Sequence, residues 1–508
     1  MTAKLLPSSA DTVAPSPLVQ TSSGGVIGTA QGGVRAFKGI PFAQAERFRR
    51  ATAVPNWETP LRCTAFGPVA PQRGLIADNT EAECLTLNIW TPAEVTKPLP
   101  VLFFIHGGAF VTGAGSDYDG AFLAKHGPAV IVTINYRLGP LGFLQLHRFG
   151  GVLAEANNLA VTDTLAALIW VRDNIAAFGG DPDNITLLGQ SAGASLVVTM
   201  MTLPQARGHF RRSVAFSVPG RGIMPAAQAD DIADRFLAAL ELAPHDAAAI
   251  RDVPVARLLD TAETVGREVA GRTAHGTLFG PVLDSVVIPC DPREAISAGA
   301  LREQNLWLGS CRDEMVMFLK SDPPAAMIRV TEGRIRAQFG DDGWDRLLAS
   351  YRATARADED PYEALLSDAM WHRPMAELAE LHHEAGGRVW LSRFDHRPTL
   401  APFLSQGPTH GADNACLWAH LPDFVDRPVL QRPGGPMTPV DIEVAARLQA
   451  CVLRFAEQGR PDDEGNWPAF TPTCGELAIF ASPFRVTSAT NTPRQEAWRS
   501  LSADRAGD

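Results

Sequence analysis

No Cys-x-x-Cys pair, no His-Glu-x-x-His stretch and no other zinc-ligand spacing occurs in this chain. A structural zinc or a metallohydrolase centre is therefore not expected, and no cofactor is called for. The seven cysteines, Cys63, Cys84, Cys290, Cys311, Cys416, Cys451 and Cys474, make an odd set. They read as mostly buried thiols in a reducing compartment. No apolar run approaches the length of a membrane span. Residues 1–20 are rich in Ser, Thr, Pro and Ala, with one lysine and no apolar core of signal-peptide length. A loose start and a cytoplasmic protein are expected from that. Positive charge is in deficit: 45 Lys and Arg against 56 Asp and Glu give a net charge of −11. This argues against a nucleic acid partner and mildly disfavours anionic substrates. No Gly-x-Gly-x-x-Gly follows the first strand with a later acidic residue, which removes a Rossmann dinucleotide enzyme.

What is present is apolar and periodic. Hydrophobic residues make up 45% of the 508 positions, enough for a large core, and no linker divides them. Gly24 to Gly33 punctuates a β-hairpin, with Val34-Arg35-Ala36-Phe37 as strand and residues 38–42 as loop. Thr86-Leu87-Asn88-Ile89-Trp90 alternates like a strand. The runs at 101–105 and 129–134 are continuous, as suits central strands covered on both faces. Further strands are predicted at 185–188, 213–216, 305–308 and 389–394. Helices are predicted at 163–178, with Leu165, Leu168, Ile169 and Ile175 on one face, and at 231–242, 361–384 and 440–458. Strand and helix alternate, so the fold class is α/β: a mostly parallel twisted sheet with helices on both faces and helical lid insertions. One such domain is expected over 21–493, after a flexible 1–20 and before a polar, frayed tail at 494–508.

Two glycine-rich turns carry chemistry. Gly189-Gln190-Ser191-Ala192-Gly193 lies between the apolar strand 185–188 and the apolar helical run 195–201. Gly-x-Ser-x-Gly in that context is a nucleophile elbow, which lifts the Ser191 oxygen above a helix N-terminus. Small neighbours leave room for so sharp a turn. His106-Gly107-Gly108-Ala109-Phe110 directly follows the strand 101–105. Its glycines let the backbone approach a substrate oxygen. Gly107 and Gly108, with Ala192, are the candidate N–H donors to a tetrahedral oxyanion.

In these motifs the chain resembles the type B carboxylesterases, the family that holds the cholinesterases and bile-salt-activated lipases. The resemblance runs from about residue 24 to 468. It is carried by Lys38-Gly39-Ile40-Pro41-Phe42, Glu83-Cys84-Leu85-Thr86-Leu87-Asn88-Ile89-Trp90 and His106-Gly107-Gly108-Ala109-Phe110. Asn135-Tyr136-Arg137-Leu138-Gly139-Pro140-Leu141-Gly142-Phe143 and Ala177-Phe178-Gly179-Gly180-Asp181-Pro182-Asp183-Asn184 extend it. The resemblance implies a Ser-Glu-His triad and a serine esterase acting on small-molecule esters through an acyl-enzyme. The acid lies in Ser310-Cys311-Arg312-Asp313-Glu314. Sequence physics does not choose between Asp313 and Glu314; matching the family's Arg-Asp-Glu puts the role on Glu314. Of twelve histidines, His106 is spent in the oxyanion loop, and His382 and His383 read as surface positions on a helix. His410, in His410-Gly411-Ala412-Asp413, stands above His396 and His420 by chain order and by likeness to the family's His-Gly-x-Glu.

The departures from the family also matter. Gln190 stands where a glutamate usually precedes the nucleophile. Ser217 remains available near the triad, while Val218 crowds its turn. Cys63 and Cys84 match a disulfide of secreted relatives, which a reducing compartment leaves open. The resemblance further implies that the stretch 64–83 would hold the cholinesterases' ammonium-binding tryptophan. Here that stretch has neither Trp nor Tyr, so neutral esters are expected to be preferred. The rival readings are a carbamate or amide hydrolase with the same triad, and a non-catalytic binding protein of this fold. The oligomeric state is not legible.

Overall fold

The apolar runs at 101–105 and 129–134 become neighbouring central strands, since a strand with no polar face must be covered on both sides. In this computed structural model, which describes residues 16–73, 81–220, 222–269, 277–321, 326–399, 403–418, 437–463, 465–488 and 492–506, the main sheet has eleven strands. They are β1 (Thr29–Gln31), β2 (Val34–Pro41), β3 (Thr86–Pro92), β4 (Leu99–Ile105), β5 (Val130–Ile134) and β6 (Gly180–Gln190). β7 (Arg212–Phe216), β8 (Asn305–Cys311), β9 (Arg388–Phe394), β10 (Glu476–Phe480) and β11 (Arg485–Ser488) complete it. Their spatial order is β11-β10-β9-β8-β7-β6-β4-β5-β3-β2-β1. Every neighbour from β10 through β5 is parallel. β1, β2, β3 and β11 add antiparallel margins.

Register aligns the carboxyl ends. Ile105 sits opposite Gly189, Gln190 opposite Phe216, and Phe216 opposite Gly309. The loops that leave these ends share one crevice, which is where open α/β sheets hold their ligands. The exposed Cys474 precedes β10 and so stands at the opposite, amino-end margin.

Helices cover both faces: α1 (Leu159–Asn174), α2 (Ala192–Thr202), α3 (Ala226–Ala239), α4 (Ala326–Ala353), α5 (Pro361–Ser367), α6 (Arg373–Glu384), α7 (Pro439–Gln458) and α8 (Pro493–Ala506). Alternation along β4 feeds two separate cores. Phe103 and Ile105 join the cluster under α1 and α2, whereas Leu102 and Phe104 join the cluster under α7. α7 has the ends its sequence promised. Thr438 and Asp441 form a reciprocal cap, and Gly459 stops the helix at φ 77°.

Several expectations are corrected. Residues 38–41 continue β2 rather than forming a loop, with a bulge between Phe37 and Ile40 where Gly39 takes φ 71°. Ile169 is exposed, and α1 buries Asp163, Thr164 and Asn174 in its place. Asp163 is paid for by a buried ion pair with Arg137 at 2.7 Å. Residues 361–384 are helical throughout, as expected, but a π turn at Asp368–His372 joins α5 to α6. α6 lies against the sheet, while α5 packs on α4. The tail after Pro493 is helix α8, anchored by buried Trp498 and Leu501. A short strand, Leu18–Gln20, pairs with Gly25–Ile27 inside the stretch expected to be loose, and residues 1–15 lie outside the described residues. All seven cysteines are free, Cys63 and Cys84 among them.

Candidate active site

Strand β6 ends at Gln190 and α2 begins at Ala192, so Ser191 alone makes the turn. It adopts φ 57° and ψ −123°, a conformation costly for a side-chain-bearing residue. The elbow survives because the residues two positions away on either side, Gly189 and Gly193, have no side chains. A Cβ on Gly189 would sit 2.5 Å from the Gly193 carbonyl oxygen, and one on Gly193 would sit 2.0 Å from that of Ile105. The Ser191 N–H donates to Phe216 O at 2.9 Å, which ties the turn to β7.

The glycine loop after β4 lies against this turn. A Cβ on Gly107 would come within 3.2 Å of Ser191 Cβ. Among the described residues, nothing accepts a hydrogen bond from the N–H groups of Gly107, Gly108 or Ala192. Three unsatisfied donors beside a half-buried serine suit a developing oxyanion. His106 orients one of them. Burial lowers its pKa to about 4, so it is neutral, and its Nδ1–H donates to Gly107 O at 2.8 Å. Carbonyl and N–H of one peptide point in opposite directions, so the Gly108 N–H is turned away from His106. Tyr136 stacks on the His106 ring at 4.4 Å and donates to His106 O at 2.8 Å.

Glu314 and His410 are brought into direct contact. Glu314 is fully buried, and its Oε2 lies 2.6 Å from His410 Nδ1. Its Oε1 accepts from Ser217 Oγ at 2.6 Å and from the Cys311 N–H at 2.7 Å. The loops beneath are stitched as well: Asp313 N–H donates to Pro408 O, and Met317 N–H to Thr409 Oγ1. With Nδ1 donating to Glu314, His410 Nε2 carries the lone pair and accepts from the Gln190 amide at 3.3 Å. Ser191 Oγ makes no hydrogen bond among the described residues. It joins the pair through its neighbour Gln190, and apo sites often tighten only around substrate.

The other candidates go elsewhere. Asp313 is committed to Arg312 at 2.8 Å. His396 caps onto Asp441 at 2.7 Å. His382, expected at the surface, is buried and bonds Gln304 O at 2.9 Å, because α6 turns that face onto the sheet. His420 lies outside the described residues. Sequence reasoning left Tyr136 and Cys311 without roles. Tyr136 had a signal, since the chain holds only 4 tyrosines and one falls inside the Asn-Tyr-Arg stretch. Asp413, next to this cluster, is pushed up to about 6 by burial and by Glu314.

Comparison with known proteins gives the family. The carboxylesterase family matches residues 15–498. Para-nitrobenzyl esterase of Bacillus subtilis (strain 168) is 32% identical, over 94% of this chain and 97% of its own length. Fumonisin B1 esterase of Sphingopyxis macrogoltabida is also 32% identical, over 94% and 89%. The solved carboxylesterase of Geobacillus stearothermophilus superposes with a TM-score of 0.81 at 32% identity, covering 95% of this chain and 99% of that one.

Proposed function

The chain belongs to the carboxylesterase family and is a serine ester hydrolase, and we propose that Ser191, Glu314 and His410 carry its chemistry. His410 takes the Ser191 proton, and the freed oxygen attacks the ester carbonyl. Gly107, Gly108 and Ala192 donate to the oxyanion. Protonated His410 gives its proton to the leaving alcohol, and water repeats the cycle on the acyl-enzyme. Glu314 orients the imidazole and stabilises its charged form. The observation that supports this reading best is the 2.6 Å contact of His410 Nδ1 with a fully buried Glu314.

The substrates are neutral small-molecule esters, and the para-nitrobenzyl esterase relative makes a p-nitrobenzyl ester the natural first trial. The rival carbamate hydrolase is not favoured. The free thiols support a cytoplasmic setting, and the acidic balance speaks against a nucleic acid partner. Residues 21–493 are read as one α/β-hydrolase domain. Ser191→Ala should lower p-nitrophenyl ester hydrolysis by at least about a thousandfold with the fold retained. An organophosphate should label Ser191 alone. Residual turnover near wild type, or label on another residue, removes the mechanism.

A further inference from the structure

The π turn between α5 and α6 grips the acid loop yet has no part in the chemistry above. Single π turns inside helices recur at functional sites. Here the turn is Asp368–His372, and its side chains reach two ways. Trp371, buried, lies 5.3 Å from the His410 ring and stacks on Phe318 at 5.5 Å. His372 bridges two acceptors: Nδ1 is 2.6 Å from Asp368 Oδ1, and Nε2 is 2.8 Å from the Cys311 carbonyl oxygen. A neutral imidazole has a single N–H and satisfies one of them; making both bonds takes the imidazolium.

The placement of Cys311 gives this bridge its meaning. Its N–H is a donor to Glu314 Oε1. On the other flank of Glu314, the Met315 N–H donates to Glu363 Oε1 and to Ser367 Oγ, both at 3.0 Å. The α5–π turn segment thus holds the chain on both sides of the acid. Asp368 is fixed in turn by the Tyr351 hydroxyl, which accepts from Trp498 Nε1 at 2.9 Å. A continuous chain of hydrogen bonds runs from α8 to the buried carboxylate.

We propose that His372, as an imidazolium paired with Asp368, is a positioning residue that clamps Cys311 and through it the Glu314 carboxylate against His410. This rests on Glu314 being the acid of the triad. Burial works against the charge on His372, but the Asp368 bond outweighs it and raises the pKa above the ordinary histidine value. Arg393 of β9 opposes it from across the cavity, which Arg356, Arg373 and Arg494 also line. Tyr351 of α4 faces the same carboxylate. A raised pKa means the clamp is complete at low pH and is lost as pH rises through the folded value. Turnover then gains a descending alkaline limb that a lone Ser-Glu-His unit does not produce.

The test is kcat and KM for p-nitrophenyl acetate from pH 6 to 10 in wild type, His372→Gln, Asp368→Asn and Glu314→Gln. His372→Gln should lower kcat about tenfold, keep KM within about twofold and lose the descending limb. Asp368→Asn should move that limb about one unit lower. If His372→Gln does not fold, the Asp368→Asn profile decides alone. Wild-type kcat and pH profile in both variants, or a loss confined to thermal stability, overturns the proposal. Should Glu314→Gln be impaired while the other two are not, only the positioning role falls. If Glu314→Gln keeps wild-type kcat, the acid itself has been misassigned and the clamp falls with it.

Discussion

Gln190 meets His410 on the side of the ring away from Glu314. Its amide nitrogen lies 3.3 Å from His410 Nε2, and it is buried beside the nucleophile. An amide there donates to the neutral imidazole, and it does nothing to hold a proton on it. A carboxylate in the same place would favour the imidazolium and delay its deprotonation. Gln190→Glu should therefore shift the acidic limb of kcat/KM upward by about one unit, because His410 must be neutral to act as base. A pH–rate profile with the limb unmoved would show that the side chain at 190 has no electrostatic hold on His410. Asp313 is the contrasting neighbour. Already paired with Arg312, it should tolerate replacement by Asn with little loss of turnover. The elbow and the glycine loop were legible in the sequence because each is local. The choice of Glu314 over Asp313 needed the resemblance. Asp313 pairs with its neighbour Arg312, but what Glu314 touches depends on Ser217 and His410, 97 and 96 positions away, and no spacing rule carries that.

The same divide separates the elements. β4, β5, β6 and α7 were readable from apolar runs and caps. α8 was not, because a helix with two buried anchors among polar residues looks like a tail. Its anchor, Trp498, donates to Tyr351 across 147 residues of chain. It also lies under the Arg373 guanidinium at 4.0 Å. Removing so large a buried ring typically costs about 3–5 kcal/mol. Trp498→Ala should lower the urea midpoint accordingly. A midpoint within error of wild type would mean that α8 adds nothing to the fold. The π turn was hidden for a different reason. Residues 361–384 have helical composition throughout, and nothing in the pattern marks one extra residue. Only the demands of Cys311 and His410 on either side reveal why the helix is interrupted there.

Two consequences belong to the molecule as a whole. Buried carboxyls tilt its stability with pH. Burial raises Glu363 to about 8 and Asp413 to about 6. Both folded values exceed the unfolded ones, so the folded chain holds protons that the unfolded chain releases. Stability from these groups is therefore present in acid and is lost as pH rises through about 6 and then about 8. Glu363→Gln keeps the acceptor for Met315 and Ser367 without the charge. It should raise Tm at pH 9 by a few degrees and leave it unchanged at pH 5. Equal shifts at both pH values would contradict the burial of a charge. The net charge of −11 draws cations weakly and is screened by salt. The missing tryptophan over 64–83 counts for more, about 1–2 kcal/mol of cation–π attraction. kcat/KM for butyrylcholine should then fall below that for 3,3-dimethylbutyl butyrate at physiological salt, and the reverse order would reveal another cation site. Finally, parallel strands give this molecule a front and a back. The crevice opens at the carboxyl ends, whereas the exposed Cys474 thiol precedes β10 at the amino ends. Five of the other cysteines are buried and Cys290 is half-covered. A maleimide-coated bead would accordingly take hold of the enzyme by its back. Every tethered copy would then face its crevice outward to the flowing substrate, an orientation that random coupling through lysines does not give.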